Sequence, residues 1–192
     1  MLIIQMLMKR AMGGVLPLIP AALKLAEEVM AGPSLEEPPS GPFAEEERAL
    51  AQAKKSFLQA SGTAMQKFRE KLADEQEIVA ALSNIVMEIY AVESVLRRAQ
   101  KAQAAKGEAS TAAMTAAAQA FIYGASDRVE KEARTALVAT LQGDMLRTQL
   151  AVLKRFSKRE PVDVIALRRR VAEMCIRDSS RGESLLRESA LL

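Results

Sequence analysis

The chain has 192 residues, 49% of them hydrophobic and only 4% aromatic, with no His, no Trp and one Cys. Without histidine there is no His-containing metal site, no imidazole base and no Ser-His or Cys-His pair, and one cysteine allows neither an internal disulfide nor a multi-Cys cluster. The net charge of +3 hides an asymmetry: residues 1–96 carry nine Lys/Arg against thirteen Asp/Glu, residues 97–192 eighteen against eleven. A basic carboxyl-terminal half raises the question of an anionic counterpart. The thirty-four alanines, the strongest helix formers, point to an all-α protein. The length suits one domain, or one with an appendage, able to bury roughly 70% of its unfolded surface.

Seven of the first eight residues are apolar, but Lys9 and Arg10 follow the run instead of preceding it. That is the wrong order for a secretory signal, and the run is far short of the ~20 residues that cross a bilayer. It reads as the last turns of a helix whose beginning lies elsewhere, stopped by Gly13-Gly14. A short helix is expected from Pro17 to Met30, with Ile19, Leu23, Ala26 and Met30 at helical spacing. Residues Ala31 to Pro42 hold four of the seven prolines together with Glu36 and Glu37, and read as an acidic extended linker.

Three long helices follow. The first, from Ala44 to Leu72, marks one face with Leu50, Phe57, Ala64 and Phe68, and places Glu45, Glu46 and Glu47 in its first turn, where the helix dipole favours negative charge. The second opens at Asp74 and ends near Lys106, with Gly107 as its cap. Its positions Ile78, Leu82, Ile85, Ile89, Val92, Leu96 and Ala99 alternate spacings of four and three, the pattern of a bundle seam. A second stripe of Val79, Val86, Tyr90 and Val95 widens the face expected to be buried. The third runs from Ser110 or Thr111 to Gln142, inward at Met114, Ala118, Phe121, Ala125, Val129, Ala133 and Ala136. Gly124 inside it suggests a close helix crossing. Each long helix spans roughly 45–50 Å at about 1.5 Å per residue. Asp144 is expected to cap a shorter helix carrying Leu146, Leu150 and Leu153. Pro161 then breaks the chain, and Asp163 caps a last helix with Val164, Leu167 and Val171 inward. Matched lengths and tight turns predict an all-α antiparallel helical bundle of three long helices plus shorter flanking helices.

The chemistry-bearing residues are few. Lys154, Arg155, Lys158, Arg159, Arg168, Arg169 and Arg170 place seven positive charges in seventeen residues. This could be an interaction patch for phosphate, an acidic membrane or an acidic protein, or a helix end complemented by cations beside a solvated face. No aromatic residues interleave the cluster for base stacking, so nucleic acid is not an expected partner. The ten methionines read as core filler, and Tyr90 and Tyr123 as packed residues. Glu88 and Glu93 flank the seam, but without the Glu-x-x-His pairs of di-iron bundles they make no metal site. From the residues alone, the chain is a soluble helical bundle with no catalytic, cofactor or metal site of its own.

Several segments nevertheless resemble one family. Met6 to Lys24 (MLMKRAMGGVLPLIPAALK) is similar to the stretch that follows the catalytic helix of acyl-CoA dehydrogenases, in bacterial long-chain enzymes related to the very-long-chain type. The segments Ala73 to Val79 (ADEQEIV) and Ile89 to Arg98 (IYAVESVLRR) resemble the extra carboxyl-terminal helical domain of that subgroup. So do Gly143-Asp144, Leu146 to Leu150 (LRTQL) and Pro161 to Ala172 (PVDVIALRRRVA), and the resemblance covers about residues 1–172. It implies residues 1–30 as the end of the dehydrogenase's own helical domain, 31–42 as a linker, and 43–173 as the appended bundle. It also implies a flavoenzyme parent, in which a glutamate removes the α-proton of an acyl-CoA while the β-hydride passes to FAD. That glutamate sits in a Glu-Gly-Thr-Asn stretch absent from this chain, so no catalytic or flavin residue is carried over. The fragment alone is expected to bind no cofactor and to be inactive, with a packing or dimerisation role.

The implied partners are the amino-terminal catalytic part, a second subunit of a homodimer and, for the parent, an electron-transfer flavoprotein. The implied location is the bacterial cytoplasm, or the periphery of the inner membrane. The linker departs from the basic membrane-facing segment of very-long-chain enzymes, because an acidic loop is repelled by anionic headgroups. After Glu173 the resemblance stops. Met174 to Ser179 (MCIRDS) looks like a translated sequencing adapter, so 174–192 is expected to be an unmatched, artefactual tail. The alternative class is a stand-alone helical module that grips an acidic partner through its basic carboxyl-terminal helices.

Overall fold

The computed structural model of the chain describes residues 2–32, 40–174 and 176. The linker expected over Ala31–Pro42 falls largely on 33–39, and the expected tail of 174–192 falls almost wholly beyond 174, so most of both lies outside the described residues. Among the described residues every regular element is helical. In chain order these are α1 (Leu2–Met12), α2 (Leu18–Ala31), α3 (Ala44–Phe68), a 3-10 segment (Arg69–Asp74), α4 (Gln76–Lys106), α5 (Glu108–Thr140) and α6 (Gly143–Phe156). A last helix, α7, runs over 164–174.

Side-chain contacts fix the direction of each helix. Glu47 of α3 pairs with Arg97 of α4, while Lys54 Nζ, two turns later, meets Glu93 Oε2 at 3.1 Å, so α3 and α4 run antiparallel. Gln119 Nε2 donates to Glu46 Oε1 at 2.8 Å near the start of α3, and Lys67 Nζ donates to the Thr140 carbonyl near its end. Helix α5 is therefore parallel to α3. Helix α6 returns antiparallel, with Gln59 Nε2 donating to the Gln149 carbonyl at 2.7 Å and Arg48 Nη2 to the Lys158 carbonyl at 3.2 Å. The result is the expected antiparallel bundle, closed by α6 as a fourth member.

The core follows the seam. Leu82, Ile85 and Leu96 of α4, Ile122 and Leu137 of α5 and Leu153 of α6 are all fully buried, each worth about 1.5–3 kcal/mol relative to exposure. Alanines at 60, 64, 99, 125, 133 and 136 are at most 1% exposed and let the helix axes approach. Partly buried Ile89 packs against both halves of the core, one around Phe57 and Leu82, the other around Leu50 and Leu96. Helix α4 is long and apolar enough to cross a membrane by length and composition. Its apolar stripe is instead the seam of the bundle.

Several local expectations change. The first long helix stops at Phe68, where Arg69 takes φ 50°, and Leu72 is buried from the 3-10 segment that follows. Asp144 does not cap α6, because Gly143, at φ 57°, already begins the helix and leaves Asp144 inside its first turn, 3.2 Å from Arg147. Gly124 marks no helix crossing, since an added Cβ would meet only the flexible end of Arg128 at 3.4 Å. Buried alanines provide the close approach instead. Tyr90 is 76% exposed, although Val79 of the same stripe is buried and Val86 and Val95 pack partly buried against the core. Helix α4 begins at Gln76 after the 3-10 segment, and α5 runs Glu108–Thr140 in place of the expected Ser110 or Thr111 to Gln142. Two boundaries hold: α4 ends at Lys106 with Gly107 at φ 79°, and Asp163 Oδ1 accepts from Ala166 N at 2.9 Å as the cap of α7.

Candidate interaction surfaces

The seven cations singled out in the sequence lie on two successive helices and divide by environment. Lys154 on α6, Lys158 just beyond it, and Arg168, Arg169 and Arg170 on α7 are exposed. Arg155 is half-buried, with its guanidinium 5.6 Å from the Phe156 ring centre, and Arg159 is tied to Asp127 of α5. Arg159 therefore acts inside the fold, joining the segment after α6 to α5. Three consecutive arginines on a helix fan through ~200° and do not share one face.

The carboxylates of the seam are structural. Glu88 accepts from Arg128 Nε at 2.5 Å and Nη2 at 2.9 Å, a bidentate pair that raises the Arg128 pKa chiefly through the hydrogen bond and clamps α4 to α5. Glu93 is held by Lys54. Glu47 lies below the ordinary carboxylate value because Gln100 donates to it, with Arg97 adding to the effect and partial burial opposing it. Tyr123 is buried as expected, and that burial, with Glu46 nearby, pushes its hydroxyl pKa up. No group of three or more potential metal-binding side chains occurs among the described residues.

The sequence did not indicate an apolar concavity that the fold creates. An open groove of about 490 Å³ lies between α1, α2 and α3, and its floor and walls include Leu7, Leu25, Val29, Phe57, Leu58 and Met65. Among the described residues no charged side chain lines it. At one edge Gln59 Nε2 donates to Gln149 Oε1 at 2.8 Å, while Gln59 Oε1 is buried without a hydrogen-bond partner. The α2 stripe at helical spacing is left largely exposed: Ile19 is 54% exposed, Leu23 63% and Met30 89%, and only Leu25 of this helix is buried. Periodicity had identified an apolar face correctly, but no element among the described residues lies against it. Lys55 of α3 holds Glu28 of α2 at 2.5 Å, so this exposed face belongs to a helix anchored to the bundle.

Comparison with known proteins adds three findings. Residues 52–155 match the family described as "Acyl-CoA dehydrogenase, C-terminal domain". A Bacillus subtilis (strain 168) protein named "Probable acyl-CoA dehydrogenase" is 37% identical over 165 residues, which are 86% of this chain but 28% of that protein. The crystal structure of a Bacillus anthracis acyl-CoA dehydrogenase complexed with FAD is similar at a TM-score of 0.85 and 33% identity, covering 91% of this chain and 29% of that one. The chain thus spans well under a third of the length of these relatives.

Proposed function

The chain belongs to the acyl-CoA dehydrogenase family through its C-terminal domain, and on that premise we propose that it is the carboxyl-terminal helical part of a longer FAD-dependent enzyme. In this reading it packs against the catalytic body and supports dimer architecture, while oxidation of acyl-CoA to trans-2-enoyl-CoA occurs elsewhere in the polypeptide. The observation that carries the reading is the fold match, which takes in nearly all of this chain but 29% of a FAD-bound dehydrogenase.

The side chains present do not fit a flavin dinucleotide. A pyrophosphate calls for cationic side chains or clustered backbone N–H donors, whereas the groove is uncharged and built from helix flanks. Flavin contacts and the catalytic base are therefore assigned to the remainder of the longer enzyme. By the same reading that enzyme is a cytoplasmic homodimer that passes electrons to an electron-transfer flavoprotein.

The test combines two measurements. The purified chain should be colourless and should not reduce an electron acceptor when given acyl-CoA, and the DNA upstream should encode a catalytic body in frame. A chain that binds flavin and oxidises acyl-CoA unaided, or an upstream region without that body, overturns the proposal.

One observation favours a second reading, a module that binds an acidic protein. Lys154, Lys158, Arg168, Arg169 and Arg170 are exposed, and none has a carboxylate within salt-bridge distance among the described residues. Neutralising Lys154 and Lys158 should then weaken salt-dependent binding to a polyglutamate surface. Unchanged retention sinks this reading.

A further inference from the structure

We infer that a single water molecule is a fixed part of this fold, held where α3, α5 and the segment after α6 meet. The inference stands apart from both readings above. A cavity of about 20 Å³ lies at that junction, and one water needs about 10–15 Å³. The residue pattern marks the place. Buried small side chains recur along α3 as Ala49, Ala53, Ser56, Ala60 and Ala64, and only the middle one carries a hydroxyl. Helix α5 adds Ser126 to the cavity wall, and the end of α6 adds Ser157.

Hydrogen-bond accounting selects the occupant. Ser56 Oγ donates to the Gln52 carbonyl at 3.0 Å, and Ser126 Oγ to the Ile122 carbonyl at 2.9 Å. Each hydroxyl has thereby used its one proton and keeps lone-pair capacity to accept. The Ser157 hydroxyl has no hydrogen-bond partner among the described residues and so has a proton to give. A water that donates to Ser56 and Ser126 and accepts from Ser157 makes three bonds, the usual complement of a buried water.

An ion fits less well. Arg159 and Glu130 also line the cavity, but Arg159 is paired with Asp127, and Glu130 with Arg134 at 2.9 Å. The wall therefore carries no uncompensated charge. An apolar filling fits no better, because it would leave the bonding capacity of the three hydroxyls unused. The water ties the segment that carries Lys158 and Arg159 to two long helices at once.

The experiment compares the purified chain with the double variant Ser56→Ala, Ser126→Ala. Alanine is the better helix former at both positions, so the variant should stay folded, which circular dichroism checks. Oxygen-17 magnetic relaxation dispersion counts long-lived internal water, and the variant should lose one molecule relative to the parent. A crystal structure of the parent grown with bromide should show a water peak ~3 Å from Ser56 Oγ and Ser126 Oγ, without anomalous scattering. Equal dispersion in parent and variant, or a cavity without a peak, overturns the inference. An anomalous bromide peak there also overturns it and assigns the cavity to an anion held by Arg159.

Discussion

Helices α4 and α2 are both apolar along one face, yet the fold treats them differently. Helix α4 buries nine of its residues, chiefly against α5 and α3, and the long α5 buries eleven. Helix α1 buries only Ile4 and helix α2 only Leu25, and seven of the thirteen large hydrophobics left exposed among the described residues fall between Leu2 and Met30. The long helices complete one another, whereas the amino-terminal layer offers a face that nothing in the described chain covers. Exposed apolar side chains are ordinary when scattered, but a contiguous group bordering a groove marks an interaction surface.

The contrast can be tested from its strongest consequence downward. Leu96→Ala removes a fully buried seam residue and should cost about 2–5 kcal/mol in denaturant unfolding. A cost near zero would mean that the bundle is looser than its burial indicates. Gly107 alone connects α4 to α5, at φ 79° and ψ 162°, with open space where a Cβ would sit. Gly107→Ala should therefore cost about 1–3 kcal/mol through backbone strain alone, measurable in the same experiment.

Leu23→Ala in the isolated chain should stay within about 0.5 kcal/mol of the parent. A larger loss would show that the α2 ridge already has a partner. In hydrogen exchange, amides of α1 and α2 should open before those of α4 and α5, because few buried contacts hold them.

The smallest effect concerns pH. Glu47 lies below its ordinary carboxylate value in the folded chain, so the unfolded state takes up its proton first as pH falls. The stability it contributes is fully present above the ordinary value of 4.5 and is lost as pH drops through the lowered folded value. Because Glu47 and Arg97 are 37% and 53% exposed, screening keeps the contribution below about 1 kcal/mol. Melting curves of Glu47→Gln should show a slightly flatter acid limb than the parent, and identical limbs would remove Glu47 from the account.

Much of the bundle was legible because its signals are local. The four-three alternation from Ile78 to Ala99 named the buried face of α4, Gly107 named its end, and Asp163 named the cap of α7. Failures came where a local signal depended on a neighbour. Tyr90 belongs to an apolar stripe whose members Val86 and Val95 pack against the core, yet Tyr90 itself is exposed, and Asp144 loses its capping position because Gly143 starts the helix one residue earlier. Glu46 is buried against Gln119, a pairing across 73 residues that no short-range pattern encodes. The basic cluster was visible as charge, but the tie between Arg159 and Asp127 appears only once α5 and the end of α6 are side by side. The groove had no signal of its own, since its parts are three apolar helix faces that look like core when read one at a time.

By itself the sequence determined the helices, their apolar faces and the lack of imidazole and internal disulfide chemistry, because backbone propensity, side-chain period and residue inventory are local properties. It also carried the family resemblance over most of the chain. The tertiary structure alone decided which apolar faces find a partner. The seam of α4 meets α3 and α5 and becomes core, while the ridge of α2 meets nothing among the described residues and becomes a surface. Periodicity reports that a helix has a face to bury, but burial also requires a second surface within van der Waals reach, and that is set by the packing of distant segments.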